Sequence, residues 1–272
     1  MKNLKELFES TQTINNEIKN LIDRQSINSF ENTSYQGDNA NYCISLFQDY
    51  LIDPNEINKR FLFYMGKALI KWASNKLHKG YFRMEDVHHG TEIFLGFLPR
   101  YIDLFPNDKT AKELILNVGN YIGNWQKETD GWYNYSKNNF NSWRLGTQGF
   151  SNNPLYRFNT ADHLRFVHIA LIAYQISGDQ KYLDWSIKYS EEFAKKINES
   201  KKIIPVAWDC NWKEFFSEDM VEPEKKFLAS NHHHFDNDPL SGAENLVASG
   251  AIYIFGFLYE ITNDKVFFHA SK

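Results

Sequence analysis

The sequence predicts an all-α protein, an (α/α) toroid of helical hairpins. Three features predict it: a turn motif that recurs, a long apolar helical run before each copy, and an amphipathic run after it. Residues 173–186 (AYQISGDQKYLDWS) align without a gap on residues 258–271 (LYEITNDKVFFHAS). Each copy reads as a helix that stops at a Gly or Asn suited to the left-handed cap, followed by an Asp able to cap a second helix that opens with an aromatic residue. Residues 104–109 (LFPNDK) form a fainter third copy, so Asp108, Asp179 and Asp264 mark successive turns. Their spacing holds two helices and a variable loop.

The runs ahead of the turns, residues 92–104, 161–176 and 243–261, are apolar with a period near that of a helix and almost apolar all round, which predicts packing on every side. The run 181–197 differs, because Lys188, Glu191, Glu192, Lys195 and Lys196 give it a wet face. An inner helix paired with an outer helix, repeated, makes a ring of hairpins, with an open solenoid as the alternative. Residues 1–24, 42–51 and 57–77 read as further helices and 25–41 as an Asn/Ser-rich loop. One domain is expected over residues 1–272. Because the last copy stops a few residues into its second helix, the chain is expected to be the N-terminal part of a longer protein.

Composition narrows the function. Thirty Lys+Arg against 34 Asp+Glu, with no basic run, argues against nucleic acid as a partner. Cys43 and Cys210 are too few and too far apart for a disulfide framework or a zinc site. No signal peptide and no membrane span is read from the hydropathy, so the chain as given is expected in the cytoplasm, or in the periplasm or outside the cell if a leader was removed. With 22 Phe, 15 Tyr and 7 Trp, rings exceed what an ordinary core requires, and some are expected to face a ligand.

Polar residues collect at the starts of the inner helices. Residues 86–92 (DVHHGTE) and 159–163 (NTADH) occupy equivalent places, and 236–245, preceded by His232, His233 and His234, is the third. In a toroid these leading ends share one mouth, where unpaired backbone N–H groups favour an anion. The plain structural readings stand beside this. Thr160 and Asp162 fit as a cap and a first-turn acid, Asp162 and Arg165 as a helical ion pair, and His168 as a satisfied core histidine. His88 and Glu92 have the spacing of two metal ligands on a helix without a full motif, so no cofactor is assigned and a divalent metal stays open. Residues 131–159 form a long loop that sets Trp132, Trp143, Arg144, Tyr156 and Arg157 among Asn and Gln. Rings interleaved with such groups suit a pyranose, which offers an apolar face and a hydroxyl rim. Trp208 and Asp209, with Trp212, are expected to extend the same rim.

On these residues the chain resembles carbohydrate-active enzymes of the (α/α) toroid type, nearest to polysaccharide lyases that cleave uronic-acid polymers. The likeness spans residues 85–272 and rests on the hairpins, the 159–165 segment and the aromatic loop. It implies an acidic oligo- or polysaccharide substrate and β-elimination. Arg157, Asn159 and Arg165 would hold the substrate carboxylate, His163 or His89 would act as base, and Tyr156 would protonate the leaving group. Asp162, Trp132, Trp143, Arg144 and Trp208 would line the substrate path. Two alternatives remain: a toroid glycoside hydrolase drawing two acids from Glu92, Asp162, Asp209 and Glu244, and a non-catalytic helical-repeat scaffold.

Overall fold

The computed structural model describes residues 54–126, 131–200, 203–221 and 238–272, with scattered helical positions between residues 5 and 52. The third polar segment, His232 to His234 with Asp236, lies outside the described residues. The protein is mostly helical with small antiparallel sheets. It falls into two compact units, Met1–Lys76 with Glu92–Ala111, and Leu77–Thr91 with Lys112–Lys272.

In the first unit, α1 (Glu56–Lys76) packs on α3 (Phe97–Leu104). Phe61, Leu62, Met65 and Leu69 recur at helical spacing on the buried face of α1, and Phe97, Leu98, Tyr101 and Ile102 face inward from α3. Gly66 permits the close approach, since a Cβ there would overlap the Tyr101 ring. The Tyr101 hydroxyl donates to Asp108 Oδ2 at 2.6 Å, and Lys67 Nζ lies 2.6 Å from the same oxygen. Asp108 also accepts the Ala111 N–H at 3.3 Å, capping α4 (Lys109–Ile122) as its place in the repeat predicts. Burial works to raise the Asp108 pKa, but Lys67, Tyr101 and the Ala111 amide together hold it below the usual carboxylate value.

The second unit holds the two clearer hairpins. The first pairs α5 (Leu164–Ser177) with α6 (Gln180–Glu199), and the second pairs α8 (Ala251–Thr262) with α9 (Lys265–Ala270). Both turns are built as the repeat predicts. Gly178 and Asn263 take left-handed conformations, with φ 69° and 56°, and Asp179 and Asp264 accept the N–H groups of Lys181 and Val266. The hairpins stack in kind: α5 packs on α8, and α6 packs on α9. Their core is apolar and ring-rich: Phe166, Ile169, Tyr182, Trp185, Tyr189 and Phe193 are buried in the first hairpin, and Phe255 stacks on Phe267 in the second.

Two expectations need correction. The runs 92–104 and 243–261 are not continuous helices. The first is divided at Gly96 between α2 (Val87–Leu95) and α3, and the second at Ser249 and Gly250 between α7 (Ser241–Ala248) and α8, with a bend of 63°. Gly250 sits at φ 73° with its Cα close to the His168 ring, where a Cβ would lie 2.6 Å from Nε2. Nor is α8 buried all round, since Ile252, Tyr253 and Ile261 are exposed. Among the described residues, no single helix is long and apolar enough to cross a membrane.

The strands form a second departure from an all-α reading. β1 (Glu85–Asp86), β4 (Arg144–Gly146) and β5 (Gly149–Phe150) make one sheet, with Asp86 opposite Arg144. β2 (Tyr133–Asn134) pairs with β3 (Asn139–Phe140). β6 (Phe158–Asn159), β7 (Ala207–Asp209) and β8 (Glu214–Phe215) make a third sheet. The stretch read as a long loop is therefore a set of short hairpins that leads into α5.

Candidate functional site

All of the cluster described below lies in the second unit. β1 delivers the chain to α2 at Asp86, which caps the helix: its Oδ1 accepts the His89 backbone N–H at 2.8 Å. Its other oxygen lies 2.7 Å from Nδ1 of the same histidine. An ionised carboxylate only accepts, so in this contact Nδ1 is the donor. The His89 side chain is 48% exposed while Asp86 is 13% exposed, so a shielded acid orients an accessible base.

Two arginines flank this pair. Glu85 Oε1 accepts the Asp86 N–H at 2.9 Å and lies 3.7 Å from Arg144 Nη2. The Arg144 guanidinium stands over the Tyr156 ring, 5.3 Å from its centroid, and its buried Nε–H has no acceptor among the described residues. His88, in edge contact with His89, lies 3.3 Å from Asp162 Oδ1 through Nδ1. Arg165 Nε lies 3.7 Å from the same Asp162 oxygen, and Arg165 Nη1 donates to the His88 carbonyl at 2.9 Å. Residues 88–91 and 162–165 thus meet, as the matched positions of their segments predict. α7 also packs on the 3-10 turn Ala161–His163.

Several named residues have structural roles instead. His163 is fully buried. Its Nδ1 accepts the Thr160 N–H at 3.1 Å, which makes Nε2 the protonated nitrogen, 3.2 Å from the Ser142 carbonyl it donates to. Burial pushes its pKa down to about 4, against the smaller opposing pull of the Ser142 carbonyl and Asp162. With both nitrogens engaged and no exposure, His163 is not a usable base. Asn159 is likewise enclosed: its carboxamide accepts the Phe140 N–H at 2.8 Å and donates to the Phe140 carbonyl at 3.1 Å, standing in for a strand. That leaves it no contact with a substrate carboxylate.

The aromatic expectations fail in the same way. Trp132, Trp143 and Trp208 are each at most 3% exposed. Trp132 donates to the Gly146 carbonyl and stacks on Tyr121, and Trp208 packs edge-on against Phe193. Trp212 donates to the Lys137 carbonyl, and Asp209 accepts the Asn211 and Lys213 amides of the β7–β8 turn. Arg157 lies over the Phe150 ring at 5.9 Å. Glu92 belongs to the first unit, and Glu244 is exposed in the first turn of α7. His168 is the core histidine its position predicts, 3.3 Å from the Ser249 carbonyl.

Sequence reasoning missed Glu85 and the partnership of Asp86 with His89. The signal was present, since Asp-x-x-His at a helix start is the spacing of a cap whose fourth residue folds back on it. Ligand atoms of Glu85, Asp86 and His89 lie within 4.8 Å of one another, a grouping that can hold a divalent ion. Their hydrogen bonds to the α2 cap compete with such a use. Comparison of the chain with family models, with curated proteins and with solved structures finds no match.

Proposed function

We propose that the protein is a carbohydrate-active enzyme of the (α/α) toroid type that cleaves uronic-acid-containing glycans by β-elimination. The stacking of inner helix on inner helix and outer on outer supports the toroid. The observation that carries the chemistry is the Asp86–His89 pair beside the part-exposed Arg144 guanidinium. In this reading His89 Nε2 takes the proton from C5 of the uronate. The electron pair of that C–H bond forms the C4–C5 double bond as the C4–oxygen bond breaks. Arg144 faces the carboxylate and holds the charge that develops on it, where most of the barrier lies. Tyr156, in contact with Arg144, returns a proton to the departing oxygen. Asp86 keeps the His89 ring in the productive tautomer.

The test is to supply pectate, alginate and glucuronan and to follow the ultraviolet absorbance of an unsaturated uronate. New reducing ends without that absorbance would transfer the site to the hydrolase alternative. No product of either kind would leave the scaffold reading.

A further inference from the structure

A second feature shares no residue with this cluster. A cleft of about 190 Å³ opens between the β2–β3 hairpin and the start of α6, walled by Trp125, Tyr133, Tyr135 and Trp185, with Lys181 and Lys188 beside them. Its walls are held in place. Tyr135 donates to the Gly123 carbonyl at 2.6 Å while the residue stays 54% exposed. Trp125 meets Tyr182 edge-on at 5.1 Å, and Trp185 stacks on Tyr189 at 5.4 Å.

Its polar groups are unevenly committed. Lys181 pairs with Asp179 at 3.0 Å and lies over the Trp125 and Tyr182 rings. Asp184, the acid in the wall, accepts the Gln180 side-chain amide at 3.1 Å. Lys188 is exposed and has no ion pair among the described residues. The indole N–H of Trp185 is buried and has no acceptor among the described residues.

Fixed rings and one free ammonium are the complement of a flat apolar face that carries an anion. The volume is below the roughly 300–1,000 Å³ of sites for drug-sized ligands, which limits the occupant to about one ring. We infer that this cleft is an accessory subsite for a single anionic pyranose, with Trp125 and Tyr135 stacking on the ring and Lys188 meeting its carboxylate. The choice of a uronate over other anionic sugars rests on the proposed lyase reading, whereas the cleft itself does not.

Titrating the whole chain with glucuronate, galacturonate and glucose, followed by tryptophan fluorescence, tests this. The uronates are expected to give a saturable change at concentrations at least about tenfold lower than glucose. Trp125→Ala should remove the response. Lys188→Gln, at an exposed position that leaves the fold intact, should bring the uronates to the level of glucose. Uronate binding that ignores both substitutions, or no saturable binding, overturns the subsite. His89→Ala separates the two ideas. It should cut turnover and leave this titration unchanged; wild type that yields no unsaturated product from any uronate polymer but keeps the titration sinks only the lyase, and wild type that turns over without saturable uronate binding at this cleft sinks only the subsite.

Discussion

His89 and His163 stand near the starts of two helices that the repeat makes equivalent, yet their surroundings are opposite. His89 is half exposed and leans on a carboxylate, while His163 is sealed and held at both nitrogens by backbone. The difference is one of partners. A carboxylate attached at Nδ1 leaves Nε2 basic and can stabilise the imidazolium, whereas backbone groups at both nitrogens specify one neutral tautomer and no proton transfer. A histidine at a helix start therefore says little until its partners are known.

The largest effect expected from this contrast is on turnover. His89→Ala should reduce kcat by about 10²- to 10⁴-fold, the share that a positioned base supplies. Asp86→Asn should reduce it by less, about 10- to 100-fold, because the amide still caps α2 but can present the wrong group to Nδ1. Steady-state kinetics on the most reactive uronate polymer, with far-ultraviolet dichroism as a control for folding, checks both. Equal rates for wild type and His89→Ala would erase the distinction between the two histidines.

The second effect is on stability and belongs to His163. Its folded pKa is about 4, below the 6.5 of the free side chain. Between those values the unfolded chain binds a proton that the folded one does not, so stability rises with pH through this window and falls as pH drops from 6.5 towards 4. The loss contributed by this group is about 3 kcal/mol at about 1.4 kcal/mol per pKa unit. His168, also pushed down by burial, acts in the same direction. Urea melts across the window should show this slope in wild type and a shallower one in His163→Gln. In that variant, activity per folded molecule should be close to wild type.

Much of the hairpin scaffold was legible because its signals are local. Gly178-Asp179 and Asn263-Asp264 each close a turn with groups two or three residues away, and no distant contact is needed to read them. The strands were not legible, since two or three residues are too few to show alternation, and their pairings join distant segments, such as Asp86 with Arg144. Trp132, Trp143 and Trp208 misled for the same reason. Their neighbours in sequence are polar, but their neighbours in space are Tyr121, Tyr156 and Phe193. The meeting of His88 with Asp162 was legible only through the repeat, which predicts that successive helix starts coincide.

The smallest effect returns to those two turns, which share a backbone shape and a capping Asp but differ at the left-handed position. Gly178 has φ 69° and nothing within 4 Å of where a Cβ would stand, so Gly178→Ala introduces no clash and isolates the backbone cost. A left-handed alanine is disfavoured by about 1–2 kcal/mol, partly offset by the lower entropy of its unfolded chain, which leaves a net loss of about 1 kcal/mol. Asn263 holds the same conformation at φ 56° with a side chain that tolerates it. Asn263→Gly relieves that residual strain but frees the unfolded chain, so its net effect should stay within about 0.5 kcal/mol. Thermal melts of the two variants measure the asymmetry. If Gly178→Ala proved as silent as Asn263→Gly, the first turn would tolerate a left-handed side chain as readily as the second, and the glycine would be incidental to the hairpin.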